Sequence, residues 1–511
     1  MISKKALLVA FLLVVGIIFL VTKKTRVNPL QFNYIITETA GPDSFDPLNA
    51  DKTQNLTVMR MLYFTPFEVD KNNLIKSSVF EKYSYDSETS TLVLEKKNDI
   101  YFDDGSVIQL QDILLSILRM GYFKPDFPMI KDIIGIKEWS TAQNGLSSFP
   151  AGIEIYGSKI IIKFRKKMLN PMFRLCLELF SIIPSKCIDL TSGKFICGMA
   201  PASGYFRIAT KSTEEIIFEK RDLVIAGAEE INAKSITFQF KKLSDLCKSN
   251  IARNDIVAVS ELDYINLNCA LENAQLHWMA ASRFGVLRFN TKNELFNLSK
   301  YRNYFAELVR QQIDSMNMGL HSQRSLLSPL LPGYLEQNEF SVGLEDYKSF
   351  FKGKKISLIT DKAPVMPFIY KAILGAAKSL EMDIEIVSKS KNEEIVNGFL
   401  DNKISVIAGA SGFWAQDPVG DISMWFTKNL HKTMTFAWED KELYSLLEKI
   451  ENESVDSALN VQIKTLNKHI FNSSIIAPLV HFRRLYITNK STQSLNLPQA
   501  ITSPAPWQIS L

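Results

Sequence analysis

The stretch Leu92-Val-Leu-Glu-Lys-Lys-Asn-Asp-Ile-Tyr-Phe-Asp-Asp-Gly-Ser-Val-Ile-Gln-Leu-Gln-Asp-Ile-Leu-Leu-Ser-Ile-Leu-Arg119 decides how the chain is read. Residues Thr91 to Glu95 alternate and are rich in β-formers, which predicts a strand. Asp104-Gly105 predicts a tight turn, because glycine reaches positive φ without a steric cost. Beyond it, Leu110, Ile113, Leu114, Ile117 and Leu118 recur at three-and-four spacing, the mark of an amphipathic helix. A generic strand–turn–helix unit has the same pattern, so the flanking segments must decide.

Upstream, Asn33 to Thr39 alternates as a strand and is followed by Phe45-Asp46-Pro47 and an apolar-periodic segment containing Leu62-Tyr63. Downstream, Ile153 to Phe164 predicts two strands around Gly157-Ser158, and Met172 to Leu179 a short helix. Gly204-Tyr205 and a strand at Glu214 to Asp222 follow. Ser235 to Phe240 predicts a strand, Leu243 to Ile251 a helix and Asp255 to Asp263 another strand. Phe284 to Asn290 is strand-like, Tyr304 to Ile313 helical, and Ser328 to Tyr334 a proline- and glycine-containing connection. Ile356 to Asp361, Pro367 to Leu380, Met382 to Val387, Glu393 to Leu400 and Ile404 to Gly409 alternate strand and helix. That order predicts a parallel sheet with right-handed crossovers. Ile476 to Phe482 is the last predicted strand.

In this order and at these distances the motifs resemble those of the family 5 extracytoplasmic solute-binding proteins, the oligopeptide- and dipeptide-binding components of ABC importers. Phe102-Asp103-Asp104-Gly105 stands where the family has F-H-D-G, with Asp103 in place of His. Phe45-Asp46-Pro47, Leu62-Tyr63, Gly204-Tyr205 and Ser328-Pro-Leu-Leu-Pro-Gly-Tyr334 match further family segments. The resemblance covers roughly residues 30 to 490. It implies an α/β, periplasmic-binding-protein-like (type II, cluster C) fold of two lobes, with an extra subdomain in the first lobe. The expected division is 1–27 as anchor or signal, 28–46 and 181–283 as first-lobe core, and 47–180 as the extra subdomain. Residues 284–481 form the second lobe, and 482–511 return to the first. The strands around Phe284 and Leu479 are the expected hinge.

The chain has 511 residues, 46% hydrophobic and 22% charged, ordinary for a globular protein of more than one domain. The net charge of +5 is concentrated in Lys4, Lys5, Lys23, Lys24 and Arg26, so no basic block argues for nucleic acid. Ala6 to Val21 is unbroken apolar sequence. As a helix it would span roughly 24 Å, short of a hydrocarbon core of roughly 30 Å. It reads as a signal segment or a short anchor with snorkelling lysines. The absence of a small-x-small cleavage site favours the uncleaved anchor, and no cysteine follows to carry lipid. Of the five cysteines, Cys187 and Cys197 flank a turn and are expected to pair as a disulfide in an exported chain. Buried thiols are the alternative. The odd total leaves at least one thiol free.

The histidines are scattered, and no nucleophile elbow, phosphate-binding loop or metal-ligand spacing is present. No catalytic residue, metal site or bound cofactor is therefore expected. His481 and His469 read first as structural. A ligand-closing cleft instead needs aromatic walls and a few fixed polar groups. Gly412, Phe413, Trp414, Gln416 and Asp417 follow directly on a second-lobe strand, where open α/β sheets bind ligands. The family motif there places an Asp against a peptide's α-ammonium group. Here Gln416 occupies that slot, which puts the peptide anchor in question. Glu38, at the end of the first strand, is a candidate for the opposite wall. The expected function is closure on a peptide-like or other small solute and delivery to ABC permease subunits, as a membrane-anchored monomer on the outer side. A sensor or structural module that has lost transport, and a nickel-complex or haem carrier, are the alternatives.

Overall fold

A computed structural model describes residues 31–509 apart from 38–40, 50–52, 71–73, 128, 143–144, 169–170, 223–230, 249, 266, 268, 270, 330, 342, 344, 361–365, 388–396, 399–400, 413–421, 423–439, 454–455, 493–494, 496, 498–505 and 507–508. The strands in chain order are β1 Gln31–Ile36, β2 Glu68–Val69, β3 Ile75–Lys76, β4 Phe80–Asp86, β5 Thr91–Lys96, β6 Ile153–Tyr156, β7 Lys159–Lys163 and β8 Phe206–Lys211. They continue as β9 Glu215–Lys220, β10 Ser235–Phe240, β11 Asp255–Ser260, β12 Ala274–Phe289, β13 Lys355–Thr360, β14 Asp383–Ile386, β15 Val406–Gly412 and β16 Ile476–Asn489. The longer helices are α1 Thr53–Leu62, α2 Leu110–Phe123, α3 Ser299–Ser315, α4 Met366–Ser379, α5 Lys441–Asn452 and α6 Asp456–Ser473.

Ten strands form one mixed sheet in the order β14-β13-β15-β12-β16-β11-β1-β10-β9-β8. Two long strands, β12 and β16, run through its middle, antiparallel to each other. On one side β1 pairs parallel with β10 and β11; on the other, β13 pairs parallel with β14 and β15. The parallel arrangement of β13, β14 and β15 is what the strand–helix alternation predicts. Each half of the sheet has its own cores. Helices α3 and α4 cover one face of the β13–β15 half through Phe305, Val309, Ile369 and Ile373, and Leu443, Leu447, Ile463 and Leu466 of α5 and α6 cover the other. Leu495 and Ile509 return to the core of the β1 half.

Residues 80–163 supply a separate four-stranded antiparallel sheet, β4-β5-β7-β6. Leu92 and Leu94 of β5 alternate inward with Ile160 and Ile162 of β7, beneath the apolar face of α2. Gly105 adopts φ +82°, as the turn requires. Helix α2 then starts with Asp112 accepting the Gln109 backbone N–H at 2.7 Å. The same carboxylate accepts the Ser185 N–H at 2.7 Å, so one side chain both caps the helix and holds the 185–187 turn.

Three elements are shorter than their sequence pattern predicts. The helix expected at Met172 to Leu179 is a single turn, Pro171–Arg174, with a 3-10 turn at Glu178–Phe180. The Leu175 carbonyl there is taken by the Phe67 N–H, so tertiary bonding replaces helical bonding. The helix expected to reach Ile251 ends at Leu246, beside a Cys247–Cys269 disulfide that the spacing did not reveal. The strand expected to reach Asp263 ends at Ser260, and Glu261–Ile265 turns helical. Cys187 and Cys197 form a second disulfide with Cα atoms 5.1 Å apart, and Cys176 is a free thiol. No helix among the described residues is long and apolar enough to cross a membrane, and residues 1–27 lie outside them.

Candidate ligand cleft at the two-strand crossing

Strand polarity brings both halves of the sheet to one place. β11 ends at Ser260, paired with Arg484 of β16, and β15 ends at Gly412, paired with Arg283 of β12. Arg283 in turn pairs with Phe482. The carboxyl ends of the parallel strands in both halves therefore point at the same short segment of β12 and β16. Crevices outside the carboxyl ends of open α/β sheets are where such folds bind ligands. The β12–β16 ladder slips register between Trp278 and Ala281, between Ala281 and Arg283, and between Gly285 and Val286. Each slip removes regular ladder bonds and increases local twist, so the pairing of the two long strands is irregular at this segment.

The two faces of the crossing carry different chemistry, because alternate residues of a strand point to opposite sides. On one face, the buried Glu261 accepts the Arg483 backbone N–H and its Nε–H, each at 2.8 Å. The Arg483 guanidinium lies 4.3 Å from the centre of the Trp278 ring, and Tyr264 meets Trp278 edge-on at 5.9 Å. This chain of contacts fastens the end of β11 to the crossing strand. On the other face stand Arg484 and Tyr486, with Tyr34 of β1 and Arg60 of α1. Tyr34 and Tyr486 pack with ring centres 6.5 Å apart, and Arg60 pairs with Glu178. Burial raises the Tyr34 phenol well above its usual range, the charge of Tyr486 and a hydrogen bond with it add to this, and Arg484 and Arg60 oppose it. Burial, followed by repulsion from Arg484, pulls the Arg60 guanidinium down to about 10.

Neither a protein-family model nor a curated protein matches this sequence. Solved structures do match its fold. The dipeptide-binding protein of Pseudoalteromonas sp. SM9913 in complex with Met-Leu aligns over 91% of this chain and 97% of its own, with TM-score 0.68 and 12% identity. The ABC transporter-associated periplasmic binding protein DppA of Helicobacter pylori in complex with the peptide STSA aligns over 95% and 99%, with TM-score 0.69 and 13% identity. NikA of Brucella suis in complex with Fe(III)-EDTA aligns over 94% and 99%, with TM-score 0.72 and 11% identity. The chain has the two-lobed periplasmic-binding-protein fold.

In that fold Gly412 stands where β15 reaches the crossing. Glu38, Phe413, Trp414, Gln416 and Asp417 lie outside the described residues, although β1 closes at Ile36 and β15 at Gly412. The periodicity of the sequence missed Tyr34, Arg60, Glu261, Arg483, Arg484 and Tyr486. One signal was available: Arg483-Arg484 interrupts an otherwise apolar strand. The two histidines read as structural are held inside the binding-protein fold. The ring Nε2 of His481 lies 3.0 Å from the Ser325 carbonyl, and that of His469 lies 2.7 Å from the Asp440 carboxylate.

Proposed function

We propose that the protein is an extracytoplasmic solute-binding protein that closes its two lobes on a peptide-like or other small solute and delivers it to ABC permease subunits. The observation that carries this is the convergence of both half-sheets' carboxyl ends on a crossing whose ladder slips register. A two-strand bridge with broken register bends at little cost, and closure then follows from ligand contacts made on both lobes. The fold shared with DppA and NikA supports the same reading. No catalytic step is assigned. The segment 6–21 would tether the protein, as a monomer, to the outer side of the cytoplasmic membrane, with the Cys187–Cys197 disulfide suited to that compartment.

Within this reading Gly412, Phe413, Trp414, Gln416 and Asp417 form one wall of the cleft and Glu38 contributes to the other. Native mass spectrometry of the protein as isolated tests the core of it: a bound small molecule is expected. X-ray scattering of the same sample before and after mild denaturation and refolding reads closure. Compact and extended forms that do not depend on the cargo overturn the reading. For the wall, Trp414→Ala is expected to weaken cargo retention with little change in the ligand-free melt. A tryptophan in the core would instead cost about 3–5 kcal/mol of stability on truncation.

A further inference from the structure

The side chains of β16 change from one core to another between Phe482 and Leu485. Ala477, Leu479, Val480 and Phe482 pack with α3 and α4 in the β13–β15 half, whereas Leu485 and Ile487 pack in the β1 half. β12 changes over the same stretch, from Met279 in one half to Phe284 in the other. The register slips of the β12–β16 ladder all fall between Trp278 and Val286.

Each side of this changeover is fastened by a buried glutamate acting with an arginine. In the β13–β15 half, Glu307 accepts from Arg310 at 3.0 Å, and Arg310 donates twice to the Pro478 carbonyl, at 2.9 and 2.7 Å. The Gln323 N–H donates to the Leu479 carbonyl at 2.7 Å. In the β1 half, Glu261 accepts the Arg483 backbone N–H and its Nε–H, each at 2.8 Å. Glu261 heads the short helix after β11, one residue past the terminal Ser260–Arg484 pair. Its side chain is 3% exposed and that of Arg483 44%. A carboxylate buried so deeply is costly to strand, so its bond to Arg483 persists when the halves move. Phe482 is therefore seated in one half while the next residue is tied to the other.

We propose that Glu261 is the pin of the lobe hinge, holding β16 to the β1 half as far as Arg483, so that closure turns on the Phe482–Arg483 link. This rests on the solute-binding reading and names the residue that positions the motion. Glu261 is a positioning residue: it acts through Arg483. Strand ends fray readily. Without the pin the Ser260–Arg484 pair becomes such an end, the flexible stretch lengthens, and the lobes sample orientations that do not bring the cleft walls together. Confining the rotation lowers the ordering cost of closure.

The test uses the full chain, freed of cargo by denaturation and refolding with its disulfides intact, in a Cys176→Ala background. Spin labels on Thr210→Cys and Lys378→Cys, exposed positions in opposite halves, read the hinge by pulsed electron resonance. Labels on Thr210→Cys and Lys490→Cys, both in the β1 half, are the control. Glu261→Ala is expected to broaden the distance distribution across the halves and leave the control distribution unchanged. Glu261→Gln, whose amide oxygen still accepts the backbone N–H, is expected to broaden it less. In Glu261→Ala the Arg483 amide is expected to exchange about tenfold to a hundredfold faster, since it loses a bond to a charged group. Faster exchange with an unchanged distribution across the halves overturns the proposal, because Glu261 is then a local cap. Equal broadening of the control pair overturns it as well, as general loosening, and so does an Arg483 amide that exchanges no faster. If Glu261→Ala does not fold, Glu261→Gln decides alone: a distribution as narrow as that of the unsubstituted chain overturns the pin. No ligand enters these measurements, so bound cargo in native mass spectrometry still judges the solute-binding reading separately.

Discussion

The guanidinium of Arg119 grips the carboxylate of Asp46 with two parallel hydrogen bonds, Nη1 to Oδ1 and Nη2 to Oδ2, each 3.0 Å long. Its Nε–H donates to the Gly193 carbonyl at 2.9 Å. Asp46 belongs to Phe45-Asp46-Pro47, and Arg119 closes the stretch that begins at Leu92. Two of the motifs that define the sequence pattern are thus the two halves of one buried ion pair. The neighbouring motifs connect in the same way. The Asp103 carboxylate accepts the Ala202 N–H at 2.8 Å, and Arg221 donates to the carbonyls of Ala202 and Gly204 at 2.9 and 2.8 Å.

Removing one partner of a buried pair leaves the other charge desolvated, which typically costs about 3–5 kcal/mol. The Arg119 side chain is 3% exposed and that of Asp46 11%. Arg119→Ala and Asp46→Ala are each expected to lower stability by about that amount in urea titrations. The double variant is expected to cost clearly less than the sum of the two, because neither charge is then stranded. Additive losses would show that the pair does not act as a unit.

Gly333 has φ +81°, and a Cβ there would lie 2.1 Å from Ile463 of α6. Its N–H donates to Asn460 at 2.8 Å, and its carbonyl accepts from the buried Asn467. Gly333→Ala therefore meets both an unfavourable backbone conformation and a clash, and is expected to cost more than about 1 kcal/mol. Adding Ile463→Ala should not restore the melting temperature, since the backbone strain remains.

Peptide mapping under non-reducing conditions is expected to return Cys187 joined to Cys197 and Cys247 joined to Cys269, with Cys176 alone. Burial pushes the Cys176 thiol well above its usual range, with the nearby Glu68 adding to the shift and Arg60 opposing it. Alkylation of Cys176 should therefore be slow in the native protein and fast in denaturant. Rapid native labelling would place that thiol at the surface. Loss of either bridge is expected to cost about 2–4 kcal/mol.

His481 sits on β16, and burial pulls its imidazole down to about 4, against partial opposition from the Ser325 and Leu326 backbone. The unfolded chain takes up this proton near pH 6.5 and the folded chain only near 4, so the unfolded state binds more protons between these values. Stability is therefore expected to fall as pH drops from about 6.5 to about 4, by roughly 3 kcal/mol from this group, and to level off below. His481→Gln should flatten that part of the profile. An unchanged slope in the variant would assign the pH dependence to other groups.

Local periodicity determined much of this protein. Alternation in Thr91 to Glu95, the glycine turn at Gly105, the three-and-four spacing of α2 and the strand–helix–strand order from Ile356 to Val387 were all legible, because each depends on residues within a few positions of one another; the helix expected at Glu393 to Leu400 lies largely outside the described residues. The strand expected to end at Gly409 instead runs on through Gly412, because pairing with β12 as far as Arg283 extends it into what the sequence reads as loop. What the chain does with these elements was decided by tertiary structure. Asp46 finds Arg119 across 73 residues, and Glu261 finds Arg483 across 222. The cluster of Tyr34, Arg60, Arg484 and Tyr486 exists only because sheet order sets β11 between β1 and β16 and lays α1 over that face. The same long-range bonds shortened the helices expected after Met172 and Leu243, where disulfide and backbone partners far along the chain competed with helical ones. Propensity is a sum of small local terms, whereas pairing across hundreds of residues follows from strand register and the burial it imposes.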